Sequence, residues 1–326
     1  MDLQANTPLR GSTRKQWEAL LTRSGLTPDI DITQTVTLWD GGELAATGSR
    51  KGNLLKCIAV DPHHRGEDLT AAVLSQLRSD AFQEGFRHLF LYTKPDNRRM
   101  FESLFFYPIA QTDSVLLMED RRQGIQSFLA SLSNAVTGAK IGAAVMNCNP
   151  FTLGHRYLIE TAASECDHVY IFVLSEDQSR FSVQDRMEMV LRGTADFSNV
   201  TVLPTGPYLI SNATFPTYFL KDRESAVKVH CHLDIKIFET YFVPRFGITH
   251  RYVGTEPLSP MTAQYNEALK ENLTKVDLVE VPRLENGDAP VSASSVRAAL
   301  DAGQDIRHLV PPCTYEYLIQ GGFIHG

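Results

Sequence analysis

The sequence predicts an α/β protein with two domains, and three observations support this class. The chain has 326 residues, which is room for about two domains of roughly 150 residues each. Short apolar runs alternate with amphipathic helical patterns, first over residues 54–118 and again from residue 141 onward. A charged turn and one helical pattern separate the two stretches. We therefore expect a domain over 1–120, a connecting helix over 121–139 and a second domain over 140–326.

The first domain shows two strand–helix steps. The clearest helix repeats apolar residues every four positions on one face, and Gly85 can end it. The residues of that face are Leu69, Val73, Leu77 and Ala81. In chain order we predict a strand over 54–60, this helix, a strand over 88–93, a helix over 97–104 and a strand over 114–118.

The second domain repeats strand, loop and helix more regularly. Ser182, followed by Asp185 three residues later, is typical of a capping box at a helix start. We predict strands over 141–146, 169–174 and 200–203, with helices beginning near 153 and 182. Strands separated by helices favour a parallel sheet covered by helices on both faces.

Composition limits the classes of partner. A formal net charge of −7 gives no basic surface for a polyanionic backbone, so we expect no nucleic-acid binding. The N-terminus lacks the order of a signal peptide, and no apolar run is long enough to span a bilayer. We expect a cytoplasmic protein without membrane association. Five scattered cysteines should be reduced and mostly buried: Cys57, Cys148, Cys166, Cys231 and Cys313.

The segment MNCNPFTLGHRYLIE, residues 146–160, carries the strongest chemical pattern. A strand leads into a tight Asn-Pro turn, and the next helix directs its free N–H groups and positive dipole end back at that turn. Such a place binds phosphate. The turn residues that we expect at the nucleotide are Asn147, Cys148 and Asn149.

Three residues at the start of this helix are candidates for the site itself. Thr152 and His155 lie three apart and share a face, and both side chains can donate hydrogen bonds to phosphoryl oxygens. Gly154 between them allows a ligand or a neighbouring backbone to approach closely. We predict Thr152 and His155 as catalytic residues.

Two later segments fit the same site. In VSASSVR, residues 291–297, Ser292 can cap a helix whose start offers N–H groups, with Arg297 placed to pair with phosphates. We predict Arg297 as a third catalytic residue, and Ser292, Ser294 and Ser295 as nucleotide-binding residues. RYVGTEP, a strand end at residues 251–257, resembles the segment with which the nucleotidyltransferases hold adenine and ribose through backbone groups. The resemblance implies that Gly254 allows close approach and that Glu256 reaches a ribose hydroxyl or a metal-bound water.

These motifs resemble those of the HxGH-type nucleotidyltransferases. NPFTLGH is similar to the threonine version of their T/H-x-G-H motif, and VSASSVR to their I-S-S-T/S-x-V-R element, in the expected order. Together with SRFSVQDRMEMV, SNATFPTYFLKD and VGTEPLSPMTAQYNEALK, they make nearly the whole chain resemble the citrate lyase ligases. The resemblance implies a Rossmann-like, doubly wound parallel sheet in the second domain.

The resemblance also implies a reaction, a cofactor and partners. ATP, as its Mg²⁺ complex, would activate acetate as acetyl-adenylate with loss of pyrophosphate. The thiol of the coenzyme-A-derived group on the acyl-carrier (gamma) subunit of citrate lyase would then take the acetyl group and release AMP. Thr152 and His155 would stabilise the charge of the α- and β-phosphates, while Arg297, Ser294 and Ser295 would hold the pyrophosphate.

The first domain resembles the GNAT acetyltransferases, with DPHHRG at the position of their pyrophosphate loop. Two positions that are normally small hold Asp68 and Thr70, and Phe105 replaces a customary glycine. These departures argue against independent acetyl-CoA catalysis. Our hypothesis is that this domain docks the pantetheine arm or the carrier subunit.

Two other functions share these motifs. An adenylyltransferase would join AMP to a phosphate ester, and a non-catalytic nucleotide-binding module would bind without turnover. The pair of phosphate motifs favours catalysis over binding alone. His230-Cys231-His232 resembles a metal site but lacks further ligands nearby in sequence, so we predict no metal site in the protein. Arg180 and Arg186, which flank the Ser182 cap, are weaker candidates for phosphate contacts, and as predicted surface residues they need no special role.

Overall fold

The computed structural model describes residues 1–6, 9–29, 31–64, 66–134, 138–176, 179–209, 218, 223–255, 260–286 and 289–324. The chain divides into two compact units. The first unit comprises Met1–Gly124 and Pro216–Val229, and the second comprises Ile125–Phe215 and His230–Gly326.

The first unit is a mixed sheet flanked by helices. Its described elements are β1 (Asp2–Asn6), α1 (Gly11–Arg23), β2 (Gln34–Asp40), β3 (Glu43–Lys51), β4 (Leu54–Val60), α2 (Leu69–Gln83), β5 (Phe90–Thr93), α3 (Arg98–Ser103), β6 (Tyr107–Gln111) and β7 (Leu116–Glu119). The strand order is β1-β2-β3-β4-β5-β7-β6, and only β4 and β5 pair in parallel among these described strands. This is the GNAT-like arrangement that the sequence predicted.

Helix α2 covers the sheet of the first unit with the face that the sequence predicted. Leu69, Val73, Leu77 and Ala81 are all buried in its hydrophobic core. The helix packs against β2, β3 and β4. Gly48 on β3 lets it approach, because a Cβ there would lie 2.6 Å from a methyl group of Val73.

The second unit is a parallel sheet with helices on both faces, as predicted. Its strand order is β10-β9-β8-β11-β12, and every described pair in this sheet is parallel. The described elements are α4 (Gly124–Ser131), β8 (Ile141–Met146), α5 (Leu153–Glu165), β9 (His168–Val173), α6 (Val183–Gly193), β10 (Val200–Pro204), α7 (Arg223–Ile237), which belongs to the first unit up to Val229, α8 (Val243–Phe246), β11 (His250–Gly254), α9 (Pro260–Asn272), β12 (Asp277–Val281), β13 (Glu285–Asn286), β14 (Ala289–Pro290), α10 (Ala293–Asp301) and α11 (Pro312–Gln320).

Strand β9 shows why this sheet is buried on both sides. All six of its residues are buried, and alternate side chains point to opposite faces. Val169 and Ile171 pack in the core that includes α5 and α6. On the other face the Phe172 ring packs edge-on against Phe242 and Phe246, with ring centroids 5.2 Å apart in both pairs.

The strand order creates a switch point in this sheet. From β8 the chain proceeds through β9 to β10 on one side, and then returns to β11 and β12 on the other. Helices therefore diverge at the carboxyl ends of β8 and β11, which is where such sheets bind ligands. No described helix of the protein is long and apolar enough to cross a membrane.

Candidate active site

The site begins with a sharp turn after β8. Cys148 adopts a left-handed conformation with φ of 51°, and the peptide bond before Pro150 is cis. The Cys148 side chain is fully buried, and burial raises the pKa of its thiol. Its thiol therefore lies in the core, and Cys148 can face the site only through its backbone. The Asn149 side chain accepts a hydrogen bond from the amide of Phe181, 3.2 Å away.

Arg186 on α6 holds this turn, and the prediction of a surface position for it was wrong. The side chain is fully buried. Its guanidinium donates to both oxygens of Asn147, at 2.9 Å to the carbonyl and 2.8 Å to the side chain. It also donates to the carbonyls of Leu174, Glu176 and Phe181. Hydrophobic periodicity could not reveal this role, because the acceptors are backbone carbonyls that the fold brings together.

The start of α5 is closed by a reciprocal cap between Thr152 and His155. The Thr152 hydroxyl accepts from the His155 amide at 3.2 Å, and His155 Nδ1 accepts from the Thr152 amide at 3.1 Å. The two side chains are also 2.9 Å apart between Oγ1 and Nδ1. The His155 ring lies nearly parallel to that of Phe151, with centroids 5.9 Å apart. This cap fixes the orientation of the imidazole.

The same contacts determine the protonation of His155. Because Nδ1 accepts the Thr152 N–H, the neutral ring carries its proton on Nε2. Burial and, to a smaller extent, the positive charge of Arg283 together lower the pKa of His155 to about 4. Near neutral pH, His155 is therefore an uncharged hydrogen-bond donor, and the described residues give its Nε2 no partner.

The low pKa of His155 predicts that stability falls with decreasing pH. Between about 4 and the ordinary value of 6.5 the unfolded state binds the extra proton and the folded state does not. Stability should thus decrease as pH falls through this window, by at most about 1.4 kcal/mol per pH unit from this group. Urea denaturation of the wild type and of His155→Gln across the window measures the difference. Parallel stability curves for the two proteins would contradict the assigned pKa.

The second motif caps α10 in the same manner. The Ser292 hydroxyl accepts from the Ser295 amide at 3.0 Å, and the Ser295 hydroxyl accepts from the Ser292 amide at 3.2 Å. Ser295 is thus engaged in the cap. Arg297 donates to the Asn149 carbonyl at 2.6 Å and to Ser294 Oγ at 3.0 Å. Arg297 therefore ties the second motif to the turn of the first.

Gly154 is the point of closest approach between the two motifs. A Cβ at this position would lie 2.9 Å from the carbonyl oxygen of Val291, which is shorter than real Cβ contacts. The neighbouring backbone therefore needs a glycine here, as one of the two sequence-based explanations proposed. This contact brings the N-termini of α5 and α10 together.

We expect Gly154→Ala to destabilise the protein by about 1–3 kcal/mol, since the clash is with backbone that cannot rotate away. Urea denaturation measures the loss. Ser164→Ala, at an exposed position of the same helix, is the control and should change stability by less than about 0.5 kcal/mol. Equal effects of the two substitutions would show that the α5–α10 contact is looser than described.

A cavity of about 530 Å³ lies at these helix starts. Its lining includes seven predicted site residues: Asn147, Thr152, Gly154, His155, Gly254, Ser292 and Ser294. Cys148, Asn149, Ser295 and Arg297 are adjacent to it but not in its lining. Glu256 lies outside the described residues. The structure thus brings most of the predicted set to one cavity, at the switch point of the sheet.

The opposite wall of the cavity was not predicted from the sequence. This wall comes from β11, from α9 and from the turn after β12, and its polar residues are Arg251, Tyr252, Thr262, Tyr265, Asn266 and Arg283. Asn266 donates to the Gly254 carbonyl at 2.9 Å, and Arg283 Nε donates to the Thr255 carbonyl at 2.6 Å. The arginine at the start of RYVGTEP was the available signal.

The sequence His230-Cys231-His232 lies on α7. His230 and Cys231 are buried, and His232 is exposed. Among the described residues no group of three or more His, Cys, Asp or Glu side chains could hold a metal ion.

A doubly wound parallel sheet with two capped helix starts at its switch point gives the second unit the Rossmann-like fold that the sequence predicted, with the two nucleotidyltransferase-like motifs at those helix starts. The sequence profile described as the citrate lyase ligase C-terminal domain matches residues 141–318. The citrate (pro-3S)-lyase ligase of Klebsiella pneumoniae is 40% identical over 317 residues, covering 94% of this chain and 93% of that protein. The chain belongs to the citrate lyase ligase family and is an enzyme of the ligase class.

Solved structures resemble each half of the chain. A nicotinate-nucleotide adenylyltransferase from Vibrio parahaemolyticus has 19% identity and a TM-score of 0.36, covering 56% of this chain and 94% of that one. An acyl-CoA N-acyltransferase from Pseudomonas aeruginosa has 12% identity and a TM-score of 0.32, covering 37% of this chain and 100% of that one.

Proposed function

We propose that the chain uses ATP to activate acetate and acetylates the acyl-carrier subunit of citrate lyase. The acceptor is the thiol of the carrier's coenzyme-A-derived group, and the products include AMP and pyrophosphate. One observation carries the proposal: two capped helix N-termini meet beside one cavity at the carboxyl ends of β8 and β11. Free N–H groups and dipole ends from both helices favour a polyphosphate there.

Several residues contribute to the first step, in which acetate is converted to acetyl-adenylate. The acetate oxygen attacks the α-phosphorus, a new O–P bond forms, and the bond to the pyrophosphate oxygen breaks with its electron pair. Neutral His155 donates from Nε2 to the phosphate charge that rearranges in the transition state. Ser294 and Arg297 lie at the start of α10, where they hold the leaving pyrophosphate. Thr152 acts on His155, because its amide and hydroxyl orient the ring.

Magnesium enters this proposal as part of the substrate MgATP. The described cavity lining offers hydroxyl and amide oxygens, such as those of Thr152, Asn147 and Ser294, but no carboxylate. Phosphate oxygens would therefore supply most of the ligands of the cation. In the second step the carrier thiolate attacks the acyl carbon, the bond from carbon to the AMP oxygen breaks, and AMP leaves.

Exchange of labelled pyrophosphate into ATP tests the proposed function. Exchange that requires both acetate and Mg²⁺ is the expected result, because acyl-adenylate formation is reversible. Transfer of labelled acetyl to the deacetylated carrier should then follow. If acetate gives no exchange while a phosphate ester yields pyrophosphate, the chain is an adenylyltransferase instead. Nucleotide binding without any turnover would identify a binding module.

We propose that the first unit docks the pantetheine arm of the carrier. A cavity of about 490 Å³ lies in this unit, and Gly66, Asp68 and Thr70 line it where a GNAT pyrophosphate loop would be. Tyr218, which comes from far along the chain, also lines this cavity and donates from its hydroxyl to the carbonyl of Tyr92 at 2.8 Å. We therefore interpret this cavity as a binding site for an elongated arm and not as a second catalytic centre.

Filling this cavity tests the docking proposal. Ser103 is exposed and lines the cavity. Ser103→Trp should raise the KM for the carrier and leave acetate-dependent pyrophosphate exchange unchanged, with Ser103→Ala as the control. An unchanged KM for the carrier would refute docking at this cavity. We also propose a cytoplasmic location, which is supported by the five free cysteines of the structure.

A further inference from the structure

One buried arginine in the cavity of the second unit has no role in the scheme above. Arg251, on β11, is only 2% exposed and lies in the cavity lining. Its Nε and Nη1 atoms have no hydrogen-bond partner among the described residues. A guanidinium is almost always charged, and burying its N–H groups without acceptors is costly. The cost is removed if a ligand supplies the acceptors.

The surroundings of Arg251 favour an anion over a neutral ligand. Its guanidinium carbon lies 4.4 Å from the centroid of the Phe238 ring, and Val145 and Val253 also line the cavity. Tyr265, another residue of the cavity lining, donates its hydroxyl hydrogen to the carboxylate of Asp234. Neither Nε nor Nη1 of Arg251 is bonded to that carboxylate, so the guanidinium retains free donors in a poorly hydrated setting, where a charge-assisted hydrogen bond is strong.

The position of Arg251 along its strand indicates a small anion. Arg251 lies three residues before Gly254, which places its backbone roughly 10 Å below the carboxyl end of β11. The two capped helix starts that serve the phosphates lie at the carboxyl ends of the strands, above this level. A small carboxylate can reach an arginine that is 98% covered, whereas a triphosphate is bound by the groups above it.

We propose that Arg251 binds the carboxylate of the acid that the enzyme activates, and this inference rests on the proposed function. The guanidinium donates charge-assisted hydrogen bonds to a carboxylate, and Nε and Nη1, which lie on different edges of the group, are the two atoms that lack acceptors. Arg251 holds the acid in the cavity below the helix starts that serve the phosphates, and it therefore determines which acid the enzyme recognises.

The test compares Arg251→Met and Arg251→Lys with the wild type in the exchange of pyrophosphate into ATP. For Arg251→Met the KM for acetate should rise about 10²-fold, whereas its KM for ATP should stay within about 3-fold of the wild-type value. Arg251→Lys should retain the positive charge but lose the planar guanidinium. Its KM for acetate should therefore lie between the values of the wild type and of Arg251→Met. Arg307→Met, at an exposed position of the same unit, is the control. Added guanidinium should partly restore Arg251→Ala, and urea should not.

Three outcomes would overturn the inference. An unchanged KM for acetate in Arg251→Met would remove the residue from acid binding. If Arg251→Met raised the KM for ATP and not the KM for acetate, Arg251 would bind the phosphates of ATP. Failure of both variants to fold, judged by thermal melting, would make Arg251 a core residue. Failure of the proposed function is distinguishable, because the wild type itself would then show no acetate-dependent exchange.

Discussion

Replacing His155 by alanine is expected to lower the rate of acetate-dependent pyrophosphate exchange by about 10²–10³-fold. The imidazole is neutral near physiological pH, because burial lowers its pKa to about 4. Its Nε2–H is oriented by the Thr152 amide, which donates to Nδ1. Removing it deletes an oriented donor from the proposed phosphate site. The loss should appear mainly in kcat, since the donor acts most strongly on charge that develops in the transition state.

The matched control for this substitution is His232→Ala. His232 is exposed on α7, and we expect its variant to retain the wild-type rate. The pH dependence of the rate is a second check. Because His155 stays neutral down to about pH 4, its protonation should cause no loss of rate near pH 6.5. A His155→Ala variant that folds and retains a near-normal rate would exclude His155 from the site.

Replacing Arg186 by methionine is expected to lower the free energy of unfolding by about 3–5 kcal/mol. Methionine fills much of the space but cannot donate. The carbonyls of Asn147, Leu174, Glu176 and Phe181 would then lose a charged donor in a buried place. Since the Asn147 turn presents the phosphate site, exchange activity should also fall at temperatures where the variant remains folded. Urea denaturation and the exchange assay measure the two effects.

Arg192→Met on the same helix is the control for Arg186→Met. Arg192 is exposed and pairs with Glu188 at 2.7 Å, four residues earlier. Exposed pairs of this kind contribute about 0–1 kcal/mol, so the control should remain close to wild type. If Arg186→Met were no more destabilising than Arg192→Met, the hydrogen bonds from Arg186 would not hold the turn as described.

Several elements of the fold could be predicted because their cause is local. The strands at 54–60 and 141–146 were predicted with their observed bounds, since continuous apolar runs mark buried strands. The capping box of Ser182 and Asp185 and the helix cap of Ser292 are confirmed, because each depends on residues within one turn. Strands β1 to β3 were not predicted. Strand β1 pairs with β2 over a long sequence distance, whereas β2 and β3 form a local hairpin at Gly41-Gly42, a signal that the prediction missed.

The sequence by itself determined the fold class, the two phosphate motifs and their order along the chain, because periodicity, caps and turns depend on neighbouring residues. Only the tertiary structure decided how these motifs meet. The contact of Gly154 with Val291 and the hydrogen bonds from Arg186 join segments up to about 140 residues apart, and burial leaves Nε and Nη1 of Arg251 without an acceptor among the described residues. The roles of these residues depend on their burial and on the backbone carbonyls near them. Neither can be predicted from the spacing of side chains along the sequence.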